Sequence, residues 1–168
     1  MPKELQIVGL RIGRETYGIP ISIVREIVRV PEITPVPNSN QFFEGVINLR
    51  GKIISVVDLR KKFGEGNIPP DKKNRIVVVE LETRTVGLIV HAASEVLKIA
   101  PSDIELPGSV FLNAEADYVT GVGKLKDRLV ILLDLNRVLQ SGNLNHLNSL
   151  NSSPESAASL LQNVENSV

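Results

Sequence analysis

The 168 residues include no cysteine and no tryptophan, and aromatic side chains make up only 4% of the chain. Without cysteine there is no disulfide, no thiolate nucleophile and no Cys-ligated zinc. The two histidines, His91 and His146, stand far apart, without metal-ligand spacing. Neither charge is in excess: Lys plus Arg number 19 and Asp plus Glu number 19. A chain built to coat phosphates carries a basic surplus, so this balance argues against it. The longest all-apolar run, Leu129–Leu133, is far too short for a bilayer span. Neither a G-x-x-x-x-G-K-[ST] loop nor a strand–GxGxxG–helix unit occurs. The opening residues Met1–Leu5 lack a secretory leader pattern. The expectation is a soluble, cytoplasmic globular protein of one domain.

What is present divides near residue 140. Residues 140–168 hold six Asn and seven Ser, no Lys or Arg, and two acids, Glu155 and Glu165. Such a stretch buries little apolar surface and is expected to form a mostly flexible tail. Within it the spacing allows one short helix over 154–164, with Ser153 as cap, Pro154 in the first turn and Leu160, Leu161 and Val164 on one face. Residues 1–139 form the domain. Its segments Ile7–Ile12, Ile53–Val57, Arg75–Leu81, Val86–Val90 and Arg128–Leu133 are rich in Ile, Val and Leu and punctuated by Gly and Pro. No helical period persists for three turns, so the fold is expected to be all-β, a sandwich or small barrels with short helices.

The domain also repeats itself. Residues 6–30 slid forward by 69 place Ile7 on Ile76, Val8 on Val77, Thr16 on Thr85, Gly18 on Gly87 and Glu26 on Glu95, with apolar positions in phase elsewhere. Further on, an offset of 76 places Gly45-Val46 on Gly121-Val122 and Asp58-Leu59 on Asp134-Leu135. Two similar β units about a pseudo-two-fold axis follow, with a cleft between them as a natural binding groove.

Several constellations admit chemistry, and each has a plainer explanation. Asp58 and Asp134, related by the repeat, could form a dyad as in aspartic proteases. Each also precedes a short helical pattern, where an aspartate caps the N-terminus, and capping accounts for both. The basic runs Arg60-Lys61-Lys62 and Lys72-Lys73 read as solvated faces, because no aromatics interleave with them. His91, at a strand end, reads as a structural residue. Arg50-Gly51 stands between two strand patterns as a hairpin tip, with Gly51 supplying positive φ and Arg50 exposed. The corresponding pair in the second half is Lys126-Asp127, so the halves differ at this tip.

The run Phe43–Gly64, FEGVINLRGKIISVVDLRKKFG, closely resembles the signature of the CheW family, the coupling proteins of bacterial chemotaxis. Tyr17–Ile21, Val24–Ile27, Tyr118–Gly123 and Arg128–Leu135 match as well, and the resemblance runs from about Leu5 to Leu139. It implies two intertwined five-stranded SH3-like β-barrels, no catalysis and no cofactor. It implies an adaptor, monomeric in isolation, that joins the cytoplasmic tip of chemoreceptors (methyl-accepting chemotaxis proteins) to the regulatory domain of a CheA-type histidine kinase in membrane-associated arrays. A CheW-like scaffold of a pilus-motility or phototaxis pathway would share the same docking surfaces, and a small-barrel nucleic-acid binder is the alternative of a different class.

Carried over residue by residue, the resemblance implies receptor contact at Val24, Glu26, Arg50, Gly51 and Val96, and Ile27 would add apolar contact area beside Val24 and Val96. It implies a kinase-facing surface over roughly residues 102–110, represented by Ser102, Glu105 and Val110. Two departures stand out: Glu105 where some relatives carry a basic residue, and Ser55 where many carry proline. The composition of the tail makes its own prediction. Truncation after Leu139 is expected to leave Tm nearly unchanged, and a large drop would show the tail packing through Leu160, Leu161 and Val164.

Overall fold

The computed structural model describes residues 4–37, 42–65, 68–106 and 118–139. The expected tail and Val110 lie outside the described residues. The strands are β1 (Leu5–Ile12), β2 (Glu15–Pro20), β3 (Val24–Arg29), β4 (Phe43–Leu49), β5 (Lys52–Asp58), β6 (Arg75–Glu80), β7 (Thr85–Val90), β8 (Ala92–Ile99), β9 (Ile104–Glu105), β10 (Val119–Lys124) and β11 (Leu129–Leu133). A four-residue helix, α1 (Leu59–Lys62), follows β5, and a helical turn α2 (135–139) follows β11. Among the described residues no helix is long and apolar enough to cross a membrane.

The repeat seen in sequence is the repeat of the fold. β1, β2 and β3 correspond to β6, β7 and β8, and β4, β5 and α1 to β10, β11 and α2. Yet neither half builds its own sheet. One sheet runs β8-β1-β2-β11-β10-β9 and the other β3-β6-β7-β5-β4, so each takes strands from both halves. The halves are knitted by two parallel pairings, β2 with β11 (Tyr17 opposite Ile131) and β5 with β7 (Val56 opposite Gly87), and by two antiparallel ones, β1 with β8 (Val8 opposite Val96) and β3 with β6 (Ile27 opposite Val77).

Each sheet closes on itself by the same device. After β3 the chain turns so that Thr34 exchanges both backbone hydrogen bonds with Val46 of β4, at 2.9 Å each. After β8 a 3-10 turn, Pro101–Asp103, leads into β9, where Glu105 lies opposite Val122 of β10. Val46 and Val122 are counterparts in the repeat. The resemblance implied five strands per barrel; the first sheet shows these five with a short sixth segment added. Its sixth strand, β9, is the continuation of β8 that closes the barrel, a closure that in the other sheet is a single bridge. Gly45 makes the approach possible: with φ 140° and no side chain it lies where a Cβ would fall 2.1 Å from the Thr34 carbonyl oxygen.

Three apolar clusters result. Ile47, Ile54, Val56, Ile76, Val78 and Ile89 fill one barrel, and Ile7, Ile99, Val130 and Leu132 fill the other. The largest cluster lies between the barrels and draws on both sheets, with Val8, Leu10, Ile12 and Ile19 from one and Val77, Val79, Val86 and Leu88 from the other. Leu59 of α1 and Val138 and Leu139 of α2 are buried in it too.

The two aspartates do cap their helices, but they are not equivalent. Asp134 accepts from the backbone N–H of Arg137 at 3.3 Å and is partly exposed. Asp58 is 1% exposed; its Oδ1 accepts from the Arg60 backbone N–H at 2.9 Å, and its two oxygens take Arg60 Nε and Nη2 at 3.0 Å each. A buried bidentate pair leaves an uncompensated charge when one partner is removed. Asp58→Ala is therefore expected to cost about 3 kcal/mol, and Asp134→Ala about 1 kcal/mol, read from denaturant melts; equal losses would show that Asp58 acts as a cap alone.

Candidate functional site

The site grows from the β4–β5 hairpin. Leu49 pairs with Lys52, so the loop is only two residues long. Right-twisted strands joined by two residues need a turn with positive φ at both, and Arg50 has φ 51° and Gly51 φ 86°. The sequence reading asked for positive φ at Gly51 alone; the two-residue loop imposes it on Arg50 as well. Arg50 is the only non-glycine with positive φ among the described residues. Asn48 secures the turn by accepting the Gly51 N–H on Oδ1 at 2.8 Å. A Cβ at Gly51 would meet nothing within 4 Å, so the demand there is on the backbone, not on space.

From this tip the Arg50 guanidinium reaches Glu26 Oε2 on β3 and forms an ion pair. The hydrogen bond and the negative charge of Glu26 raise the Arg50 pKa further above its ordinary value. β3 and β4 are the two edges of their sheet, so the pair spans the seam of that barrel. Along β3 the side chains alternate: Val24, Glu26 and Val28 are half-buried, while Arg25, Ile27 and Arg29 are exposed. Val24 packs on the core between the barrels, and Ile27 remains 36% exposed beside Glu26.

One exposed apolar residue near the tip was not singled out in the sequence. Ile53, 59% exposed, lies three residues beyond Arg50 on β5. The signal was there: with Ile54 and Val56 pointing inward, a period of two turns Ile53 outward.

Of the expected receptor residues, Val24, Glu26, Ile27, Arg50 and Gly51 belong to the barrel of the five-stranded sheet. Val96 stands on the other barrel, on edge strand β8, and is 57% exposed. It is the counterpart of Ile27 in the repeat, and Leu129, also 57% exposed, is the counterpart of Ile53. Val24 and its counterpart Ala93 both pack on the shared core, so the two edge strands start from common ground. Of the expected kinase residues, Ser102 lies in the 3-10 turn before β9 and Glu105 in β9, both exposed, with Glu105 paired to Lys124 Nζ at 3.3 Å.

The other constellations are taken up internally. Arg60 is held by Asp58, Lys61 by Glu44, and the Lys62 ammonium sits 4.7 Å over the Phe42 ring, where burial lowers its pKa. His91 Nδ1 accepts the Gly13 N–H at 2.9 Å, as expected of a structural histidine. Among the described residues no group of His, Asp and Glu could hold a metal ion.

Comparison with known proteins agrees on one family. A family model described as the CheW-like domain matches residues 6–143. Chemotaxis protein CheW of Klebsiella aerogenes is 35% identical over 130 residues, covering 77% of this chain and 78% of its own. Chemotaxis protein CheW of Helicobacter pylori is 35% identical over 137 residues, 81% of this chain and 82% of its own. The crystal structure of the scaffolding protein TtCheW from Thermoanaerobacter tengcongensis superposes with a TM-score of 0.72 at 41% identity, over 82% of this chain and 92% of that one.

The turn geometry separates backbone demand from side-chain identity. Gly51→Asn, which tolerates left-handed φ, is expected to melt close to the parent, whereas Gly51→Val is expected to lose on the order of 1–2 kcal/mol. Arg50→Gly relieves the left-handed residue and should leave Tm unchanged or raised. A drop for Arg50→Gly as large as that for Gly51→Val would show that the ion pair, not the turn, holds the hairpin.

Proposed function

We propose that this chain, which belongs to the CheW-like domain family, is a chemotaxis adaptor that couples a chemoreceptor's cytoplasmic tip to a CheA-type histidine kinase and catalyses nothing itself. The observation that carries the site assignment is Arg50. A hairpin that served only to turn the chain would place Asn or Gly at both left-handed positions. Here one of them is an arginine, strained in backbone and exposed at the side chain.

The receptor contact is the face made by Arg50, Gly51, Glu26 and Ile27, extended by Val24 toward the inter-barrel core and by Ile53 along β5. Val96 adds a contact from the second barrel across the groove. The chemistry suits an amphipathic helix: exposed Ile27 and Ile53 supply apolar area, and the guanidinium supplies a planar donor fork for a polar group or carbonyl. Ser102 and Glu105 would face the kinase from the other barrel, and Val110, outside the described residues, completes the surface that the resemblance implies. The protein would work in the cytoplasm, at arrays of membrane-anchored receptors.

The test is a paired titration. A receptor-tip fragment and a kinase regulatory domain from the same genome are titrated against parent, Arg50→Ala and Ile53→Ser. Arg50→Ala should keep Tm within roughly 2 °C, as surface changes do, and weaken receptor binding by roughly ten-fold or more, as an interface anchor does. Ile53→Ser should weaken the same binding, and both variants should hold the kinase domain as the parent does. Normal receptor binding by Arg50→Ala, or loss only through unfolding, would overturn the assignment.

A further inference from the structure

The chain has only four Phe and two Tyr, yet three of these six rings meet at one place. Tyr17 and Phe63 stack with centroids 5.0 Å apart and planes 5° from parallel, and Tyr118 meets the Phe63 ring at 5.6 Å and 43°. The three come from different elements. Tyr17 lies in β2 and Tyr118 immediately before β10, both of the six-stranded barrel. Phe63 ends α1, which hangs from β5 of the other barrel. Each end is anchored in the backbone: the Phe63 N–H donates to the Leu59 carbonyl at 3.0 Å, and the Tyr118 carbonyl accepts the Asp134 N–H at 2.8 Å. Burial is the main reason the Tyr17 pKa is raised, with Tyr118, Glu15 and Glu65 adding to it.

The internal repeat supplies a control within the same molecule. The counterparts of Tyr17, Phe63 and Tyr118 are Val86, Leu139 and Phe42. Val86 and Leu139 are aliphatic and buried in the shared core, while Phe42 lies under the Lys62 ammonium. At the two stacked positions, Tyr17 and Phe63, one side of the inter-barrel contact is therefore aromatic and the other aliphatic, and the third counterpart, Phe42, is engaged by Lys62. Aliphatic burial is non-directional and prefers no particular angle between the surfaces it holds. Stacked and tilted rings favour particular centroid distances and angles.

We propose that the Tyr17–Phe63–Tyr118 stack sets the angle between the two barrels, and that the aliphatic side does not. These three are positioning residues. They fix how the face carrying Arg50 and Ile27 is turned relative to the face carrying Val96 and Glu105, without touching a partner themselves. The claim concerns the free protein and stands or falls independently of what docks on either face.

The absence of native cysteine makes a direct measurement simple. Spin labels at Glu82→Cys and Lys126→Cys sit on exposed turns, one in each barrel, and double electron–electron resonance reads their distance distribution. Phe63→Leu and Tyr17→Leu, which make this side aliphatic like its counterpart, should shift the distribution or roughly double its width. Phe63→Tyr and Tyr17→Phe keep the rings and should retain the parent distribution, as should Leu139→Met on the aliphatic side. Thermal melts on each variant confirm folding, and Tyr17→Leu decides the matter if Phe63→Leu does not fold. Parent-like distributions in the folded leucine variants, or equal broadening by Leu139→Met, would overturn the proposal. Unfolding of both leucine variants would make the rings mere core filling and overturn it too.

Discussion

Four strand pairings between the two halves hold this architecture together, the parallel β2–β11 and β5–β7 and the antiparallel β1–β8 and β3–β6. An antiparallel pair can be made by a hairpin within one half, and β1–β2, β4–β5, β6–β7 and β10–β11 are all of that kind. The four pairings between the halves instead join residues far apart in the chain and bring the two halves into one object. Neither half can complete a sheet alone, because each barrel lacks strands until the other half arrives. The cost of closing long loops must therefore be met before the cores form, which favours slow, cooperative folding. It also means that a break between the repeats would leave two open sheets, not two domains.

Within this shared frame the halves have diverged by compensated exchanges. In one barrel Ile47 is buried and Val30 is exposed; in the other the counterpart of Ile47 is Gly123, and Ile99, the counterpart of Val30, is 1% exposed. A Cβ at Gly123 would lie 2.7 Å from Ile99 Cδ1, so the isoleucine occupies the space that the glycine vacates. Volume is conserved while its source changes strand, the kind of swap a close-packed interior tolerates. The tips diverged without such a constraint. Lys126 and Asp127 form a tight turn, with the Leu125 N–H on the Arg128 carbonyl at 2.9 Å, where the first half has Arg50 and Gly51. A core position must be matched by its neighbours, but an exposed tip is free to specialise.

The parts that were legible in sequence are those where physics acts on short stretches. β1, β5, β6, β7 and β11 announced themselves through runs of Ile, Val and Leu because they pass between two cores. The other long strands, such as β3 with Arg25, Glu26 and Arg29, emerge only by alignment with their counterparts. β9 is two residues long, and its existence depends on Gly45-like room beside β10 rather than on its own composition. At the site, the hairpin and Gly51 were readable, while the left-handed state of Arg50 follows from loop length, which needs the register of Leu49 on Lys52. The partnership of Arg50 with Glu26 joins residues 24 apart across a barrel seam, and no local pattern encodes it. Asp58 shows the same limit: its cap was local, and its burial with Arg60 was not.

The Arg50–Glu26 pair is also informative about how such a face can work. The Arg50 side chain is 70% exposed, and an ion pair in that setting contributes little net stability because water competes for both groups. Giving it up to a partner therefore costs the fold little. What does not relax is the backbone beneath it, held left-handed at two successive residues by the two-residue loop and by Asn48 on the Gly51 N–H. Such a tip fixes where the Arg50 side chain begins while leaving its partner exchangeable. On the proposed receptor face, a donor fork of fixed origin and weakly committed charge would separate the two tasks of a docking site: the turn would specify where the partner lies, and exchange of Glu26 for a partner's acceptor would make engagement reversible.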